Sequence, residues 1–206
     1  MVDCGRDWQR QLARIRPAAI VLTHAHPDHA SGLRRGACCP VFASAETWAS
    51  IGHYPIPERI AVEPRSRFEV QGVQFEAFPV EHSVRAPAVG FRIEMRHAAV
   101  FYAPDLVSIL DEQEAMTDLD LYVGDGAAIT RSIVRYRDGR AIGHASIRAQ
   151  LDWCAAAGVR RAIFTHCGSE IVTGDTRATN TKVAALGAER QIEARVARDG
   201  LELDLP

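Results

Sequence analysis

The chain has 206 residues, 47% of them hydrophobic and 24% charged, which suits one globular domain over residues 1–206 with a sizeable core. Its formal net charge of −2 gives no global basic field of the kind that holds a long nucleic-acid duplex. No apolar stretch approaches membrane-spanning length. Lys182 is the sole lysine among 24 basic residues, so the arginine excess reads as a genomic bias, and arginines alone carry no functional weight. The five cysteines are odd in number and form no C-x-x-C pair. Reduced thiols in a cytoplasm are expected rather than a disulfide framework, and the polar residues close to Met1 argue against a secretory signal.

In chain order, Val2 to Gly5 reads as the end of a strand. Trp8 to Ile15 reads as a short helix with Trp8, Leu12 and Ile15 on one face. Ala18 to Leu22 is an apolar run with the character of a buried strand, and Thr23-His24-Ala25-His26-Pro27-Asp28-His29 follows it directly. Pro27 and Ala30-Ser31-Gly32 read as a loop that opens a short helix. Three imidazoles and a carboxylate are thus carried at the end of a rigid strand, and borderline or hard divalent metals take those donors. Cys39 to Ala43 is a short strand, and Ser44 caps a helix through Ile51 with Glu46 in its first turn. Gly52 to Pro64, punctuated by three prolines and containing His53, is loop.

Arg67 to Val70 and Val73 to Phe78 alternate around Gln71-Gly72, which predicts a hairpin. His82 follows it, and by itself reads as a hydrogen-bonded loop histidine. Val89 to Met95 and Ala98 to Tyr102 form a second hairpin, with His97 in its turn. Asp105 comes just after it, where a capping aspartate is the plain alternative. Leu110 to Met116 is helical in composition, and Leu119 to Val123 is a strand followed by Gly124-Asp125-Gly126. Arg131 to Arg140 is an arginine-dense loop leading to His144. A helix runs from Ser146 to about Ala157, stopped by Gly158. Arg161 to Thr165 is a strand that delivers His166, with Cys167 as a small buried neighbour. Thr176 to Gly187 is helical in its second half. Gln191 to Arg198 and Leu201 to Leu205 alternate around Asp199-Gly200, a hairpin turn.

The run His24, His26, Asp28, His29, behind an apolar strand and ahead of Ser31-Gly32, resembles the signature of the metallo-β-lactamase superfamily in its broad hydrolase sense. That resemblance implies an α/β fold of αββα type: two mixed sheets packed face to face, helices outside, without the usual opening strands. Such an opened sheet edge invites pairing with another chain, so a homodimer is an expectation. The resemblance places one metal on His24, His26 and His82 and a second on Asp28, His29 and His166, with Asp105 between them. The cofactors implied are two divalent ions, Zn2+ or Mn2+, with iron also compatible, sharing a hydroxide that Asp28 helps to orient. No thiolate joins the set.

The stretch Gly143-His144-Ala145-Ser146 through His166 resembles the phosphodiesterase branch. That branch includes a cyclic-phosphate phosphodiesterase of phosphonate breakdown and the ribonucleases that trim tRNA 3′ ends. In that branch the histidine matching His144 contacts phosphate and protonates the leaving alkoxide; helix capping is the structural alternative for His144. No basic insertion for RNA is evident, so a small or cyclic phosphodiester is the expected substrate. Carboxylic ester, lactone or thioester hydrolysis would use the same metals without His144. A non-catalytic metal- or partner-binding relic is the third reading.

Overall fold

A computed structural model describes residues 1–205. The smaller sheet is parallel, ordered β1 (Ile20–Val21), β2 (Val41–Ala43), β3 (Arg59–Ala61). Three helices accompany it: α1 (Leu12–Ile15), α2 (Pro27–Ala30) and α3 (Ala45–Ile51). The larger sheet is mixed. It contains β4 (Arg67–Val70), β5 (Val73–Glu81), β6 (Ala88–Met95), β7 (Ala98–Tyr102), β8 (Ser108–Ile109), β9 (Leu121–Asp125), β12 (Arg161–Thr165) and β13 (Glu193–Val196), in the order β13-β12-β9-β7-β6-β5-β4 with β8 on β5. A separate antiparallel ribbon pairs β10 (Ile133–Arg137) with β11 (Arg140–His144). The remaining helices are α4 (Glu112–Met116), α5 (Ile147–Ala156), α6 (Ser169–Val172) and α7 (Thr176–Ala188).

Alternation along the strands builds the layers. Ile20 and Leu22 face outward to Leu12, Leu33 and Ile51, while Val21 faces the other sheet with Phe75, Val89 and Phe91, as the period of two in a strand requires. Phe42 stacks on Phe68 across that interface at a centroid separation of 5.4 Å, and Phe68 stacks on its cross-strand partner Phe75 at 5.5 Å. On the far face of the large sheet, Phe101, Tyr122 and Phe164 pack with Leu151 of α5 and Val183 of α7. Each such side chain contributes roughly 1.5–3 kcal/mol on full burial. The two sheets therefore share one apolar layer and carry helices outside, which is the αββα arrangement.

The hairpins of β4–β5 and β6–β7 fall where the alternation predicts them. Gln71 and Gly72 have φ of 52° and 79°, the pair of positive angles a tight hairpin turn demands. Ser44 Oγ accepts from Thr47 N, capping α3 as expected.

Several elements differ from the sequence reading. The helix over Trp8 to Ile15 is split into a 3₁₀ turn, Arg6–Trp8, and α1. Leu12 is buried, whereas Trp8 and Ile15 are 45% and 41% exposed, so the three do not share a buried face. The proline-rich loop contains β3, whose Arg59 to Ala61 pairs with β2 at the sheet edge. The arginine-dense loop is the β10–β11 ribbon: Ile133, Val134, Tyr136 and Ile142 supply strand alternation, and Asp138-Gly139 turns it with φ of 51° and 75°. Helix α7 extends over the whole of its segment because Asp175 caps it through Ala178 N. No terminal hairpin forms among the described residues. β13 instead pairs parallel with β12, and Leu201, Leu203 and Leu205 cover Val100, Leu121 and Ile163. The β1 edge expected to be open is lined by the chain's own start, with Val21 N donating to Met1 O and Asp3 N to Val21 O, both at 2.9 Å.

Candidate metal centre

The apolar β1 ends at Val21, and beyond Leu22 the chain bends through Thr23 to Pro27. Pro27 occupies the first turn of α2, where its missing N–H costs nothing. This brings His24, His26 and His29 to one side. His82 arrives from the end of β5, Asp105 from beyond β7, His144 from the last position of β11 and His166 from beyond β12. His166 takes a left-handed backbone, φ 50°, which turns its ring back over the strand ends; non-glycine residues there are uncommon and cluster at functional sites.

The seven residues assigned to the metals meet. Nitrogens of His24, His26 and His82 form one close grouping and donors of Asp28, His29 and His166 another, with all donors in each grouping within 4.8 Å of one another. Asp105 lies between them. Its Oδ2 is 2.7 Å from His29 Nε2 and 3.7 Å from His24 Nε2, and its Oδ1 is 3.0 Å from His166 Nδ1. His53 and His97 belong to none of these groupings, and Cys167 is likewise outside them.

Two features of the structure fit cations at this place. His26 Nδ1 lies 2.9 Å from His24 Nε2 and 3.2 Å from His82 Nε2. One proton can bridge only one such pair of imidazole nitrogens, whereas a cation accommodates all three. Secondly, His29 Nε2, His166 Nδ1 and both oxygens of Asp105 are buried without a hydrogen-bond partner among the described residues. Their separations are short, yet none of these contacts has the geometry of a hydrogen bond. A buried polar atom left so costs roughly 1–3 kcal/mol, and a shared metal removes that cost.

Behind the donors stands an orienting layer. His29 Nδ1 is held at 2.8 Å by Asp3 Oδ2, and Thr23 Oγ1 links Asp3 to His24 Nδ1 at 3.0 Å. Asp3 itself has φ 56°. His82 Nδ1 donates to Gly143 O at 3.0 Å. Gly143, at φ 124°, passes so close to Ile133 that a Cβ would overlap the Ile133 carbonyl oxygen. Fixing the rear nitrogen of His24, His29 and His82 aims the front one, as metal-binding histidines require.

The electrostatics differ between the two positions. Burial lowers His24 well below the ordinary imidazole range, with the neighbouring His29 adding to the effect, and burial also lowers His82 and His26. These are neutral nitrogen donors. At the second position burial opposes protonation of His29, but Asp105, Asp28 and Asp3 outweigh it and push the ring up to about 12. His166 is likewise raised by Asp28 against the effect of burial. The hydrogen bond with His166 and the nearby His29 ring hold Asp28 below the usual carboxylate range. Burial would raise Asp105, yet His29 and His166 bring it down.

His144 is placed by a residue the motifs did not single out. Asp125, fully buried, takes His144 Nδ1 on Oδ2 at 2.8 Å. The same oxygen accepts from Leu106 N at 3.1 Å and Oδ1 accepts from Ala127 N at 2.7 Å. Gln150 of α5 clamps the Asp125 backbone, accepting from its N and donating to its O. Asp125 therefore ties His144 to the loop that carries Asp105. The α5 cap is Ser146, not His144: Ser146 Oγ accepts from Ala149 N. His144 stands close enough to join groupings with His82 and Asp105, and with Asp125 and His166, but its Nδ1 is engaged by Asp125. Burial disfavours the charged ring, and the Asp125 hydrogen bond and charge reverse this, so His144 is raised. Asp3 and Asp125 were missed in the sequence; the only local signal was that Asp125, like Asp105, follows an apolar strand.

Two cavities each share one donor residue with the cluster, His82 and Asp28 respectively. One of about 490 Å³ is walled in part by His82, Ser83, Ile109 and Arg140, and one of about 330 Å³ by residues that include Trp8 and Asp28.

Fold and cluster together define an αββα protein with a histidine–carboxylate centre suited to a pair of metal ions. The chain belongs to the beta-lactamase superfamily: the family described as "Beta-lactamase superfamily domain" matches residues 1–167, a span that includes every donor above. Ribonuclease Z from Mycobacterium sp. (strain KMS) is 27% identical, covering 94% of this chain and 82% of that protein. Among solved structures, a diphosphatase from the PhnP family aligns with a TM-score of 0.74 at 21% identity, covering 100% of this chain and 79% of the other. Human tRNase Z, short form, aligns with a TM-score of 0.61 at 16% identity, covering 100% and 87%. These structural likenesses bear on the fold.

Proposed function

We propose that the protein is a metal-dependent phosphodiesterase acting on small or cyclic phosphodiesters. The observation that carries this reading is the Asp125–His144 pair beside the metal cluster, with His144 Nδ1 also 3.3 Å from Asp105 Oδ1. A thioester expels a thiolate that leaves without a proton, whereas an alkyl phosphodiester must expel an alkoxide, and that alkoxide needs a proton. The ribonuclease Z relatives, named for a phosphodiester-cleaving activity, support the same class.

His24, His26 and His82 would hold one ion, Asp28, His29 and His166 the other, with Asp105 between. Zn2+ or Mn2+ suits this nitrogen and oxygen set. Bound there, such ions supply Lewis acidity and lower the pKa of water to about 7, giving a nucleophile at neutral pH. The chain's own residues do the rest. Asp28, whose side chain is 59% exposed, orients the attacking water. His144 protonates the leaving oxygen through Nε2 while Asp125 holds Nδ1. The formal charge of −2 favours a small substrate over a long polyanion, and five free thiols suit a cytoplasmic setting.

The test is to load the protein with Zn2+ or Mn2+, measure ions per chain, and compare bis(p-nitrophenyl) phosphate and a cyclic nucleotide with thioesters and lactones. Phosphodiester turnover well above that of the carboxylic substrates is expected. The reverse ranking would make it an acyl hydrolase, and full loading without turnover of either would leave a metal-binding protein.

A further inference from the structure

Trp8 departs from the aromatic side chains of the core. Phe78, Phe91, Phe101, Phe164 and Tyr122 are wholly buried, while Trp8 is among the exposed ones. Its exposure is built in by the backbone. Trp8 N donates to Gly5 O at 3.1 Å and Gln11 N donates to Trp8 O at 2.8 Å, which closes the 3₁₀ turn and sets the indole outward. That turn is fastened to the metal loop. Gly5 lies so close to Asp28 that a Cβ on it would overlap the Asp28 carbonyl oxygen, and Cys4 N donates to His29 O at 2.6 Å.

Between turn and loop lies the cavity of about 330 Å³, with Gly5, Arg6, Asp7 and Trp8 on one side and Pro27 and Asp28 on the other. Small-molecule pockets begin at about this size. Asp28 belongs to both cavity and cluster, since its Oδ2 is 3.1 Å from His166 Nε2. A group attached to a phosphate held at the cluster can therefore enter this cavity directly. An indole on one wall, a proline ring on the other and an arginine beside them suit a flat, electron-rich ring. A bulky aliphatic chain would leave the polar rim of Arg6 and Asp7 without partners.

The geometry points to a nucleobase subsite: Trp8 stacks on the base of a nucleotide-type phosphodiester whose phosphate sits at the metal cluster. This rests on the phosphodiesterase reading and narrows its substrate class. Stacking on an aromatic residue is general to all bases, because each has a π-face, so the subsite selects for a base without selecting which one.

The test uses two ligands that differ only in the base, adenosine 5′-monophosphate and ribose 5-phosphate, as inhibitors of bis(p-nitrophenyl) phosphate hydrolysis by the metal-loaded protein. Trp8→Ala should weaken inhibition by the nucleotide roughly 5–100-fold and leave ribose 5-phosphate within about twofold, while Trp8→Phe should restore most of the loss. Equal weakening for both ligands, or none for the nucleotide, overturns the subsite. A second readout is independent of turnover. The nucleotide should quench indole emission of the metal-loaded wild type, ribose 5-phosphate should not, and the quench should vanish in Trp8→Phe. If no phosphodiester is hydrolysed, the phosphodiesterase reading fails, and the quench still decides the subsite.

Discussion

Asp3 holds His29 Nδ1 at 2.8 Å on one flank of the cluster, and Asp125 holds His144 Nδ1 at 2.8 Å on the other. Both carboxylates are buried, and both rings are raised above the ordinary imidazole range by acidic neighbours that outweigh burial. What separates the pairs is the far nitrogen. His29 Nε2 is enclosed, its side chain 6% exposed and its neighbours Asp105 and Asp28 at 2.7 and 3.5 Å. The His144 side chain is 23% exposed. In the proposed reading the same dyad presents a nitrogen to a cation in one case and a proton to a substrate in the other. On that reading the surroundings of Nε2 decide the role, while the carboxylate fixes the ring and raises its hold on the proton.

Replacing each histidine is the strongest way to break this distinction. His144→Ala is expected to lower kcat on a cyclic nucleotide, whose leaving group is an alkoxide, by roughly 10²–10⁴-fold with metal content unchanged, read by turnover and elemental analysis on the same sample. Loss of an ion along with activity would make His144 a ligand, and the two dyads would then have the same role.

The next effect is smaller and lies on the opposite flank. Asp3→Asn should weaken metal binding by roughly 10–100-fold, measured by competition with a chromophoric chelator, because His29 and, through Thr23, His24 lose their rear support. The wild-type affinity should also fall steeply with acid. His29 and His166 are raised in the metal-free protein, so protons occupy the second position up to higher pH than for a free imidazole, and binding must release them. Calorimetry in buffers of different ionisation enthalpy reads that release directly. Zero proton release would contradict the charged state assigned to these rings.

Much of the site was legible because its first half is local. His24, His26, Asp28 and His29 fall within six residues after an apolar strand, and Asp105 and His166 each follow a strand that its hydrophobic run makes visible. Support for those side chains was not local. Asp3 acts 26 residues away from His29, and Asp125 reaches His144 across 19, distances that only the packing of β9 against α5 and of the Met1–Asp3 segment against β1 can close. The β10–β11 ribbon was hidden by its own charges: arginines masked the alternation and the Asp138-Gly139 turn. At the chain's end, Glu193 to Val196 had a good turn after it, but the unsatisfied edge of β12 offered a full parallel ladder and won. Trp8 looked like core because spacing reports which residues share a helical face, and the helix it assumed is interrupted.

The finest test of the comparison is Asp125→Asn. An asparagine keeps the size of the side chain and can still accept from Leu106 N or Ala127 N, so the loop carrying Asp105 stays in place and metal content should hold. The charge is lost. Burial by itself depresses His144, and Asp125 is the main group that reverses it. Removing that charge lowers the pH at which the ring gives up its proton. A general acid works only while protonated, so the alkaline limb of the kcat profile should move to lower pH, and kcat at its optimum should fall by roughly tenfold. Asp3→Asn should leave that limb where it is, since His29 donates no proton to substrate. If the limb stayed fixed in Asp125→Asn and moved in Asp3→Asn, the two pairs would have to exchange their assigned parts.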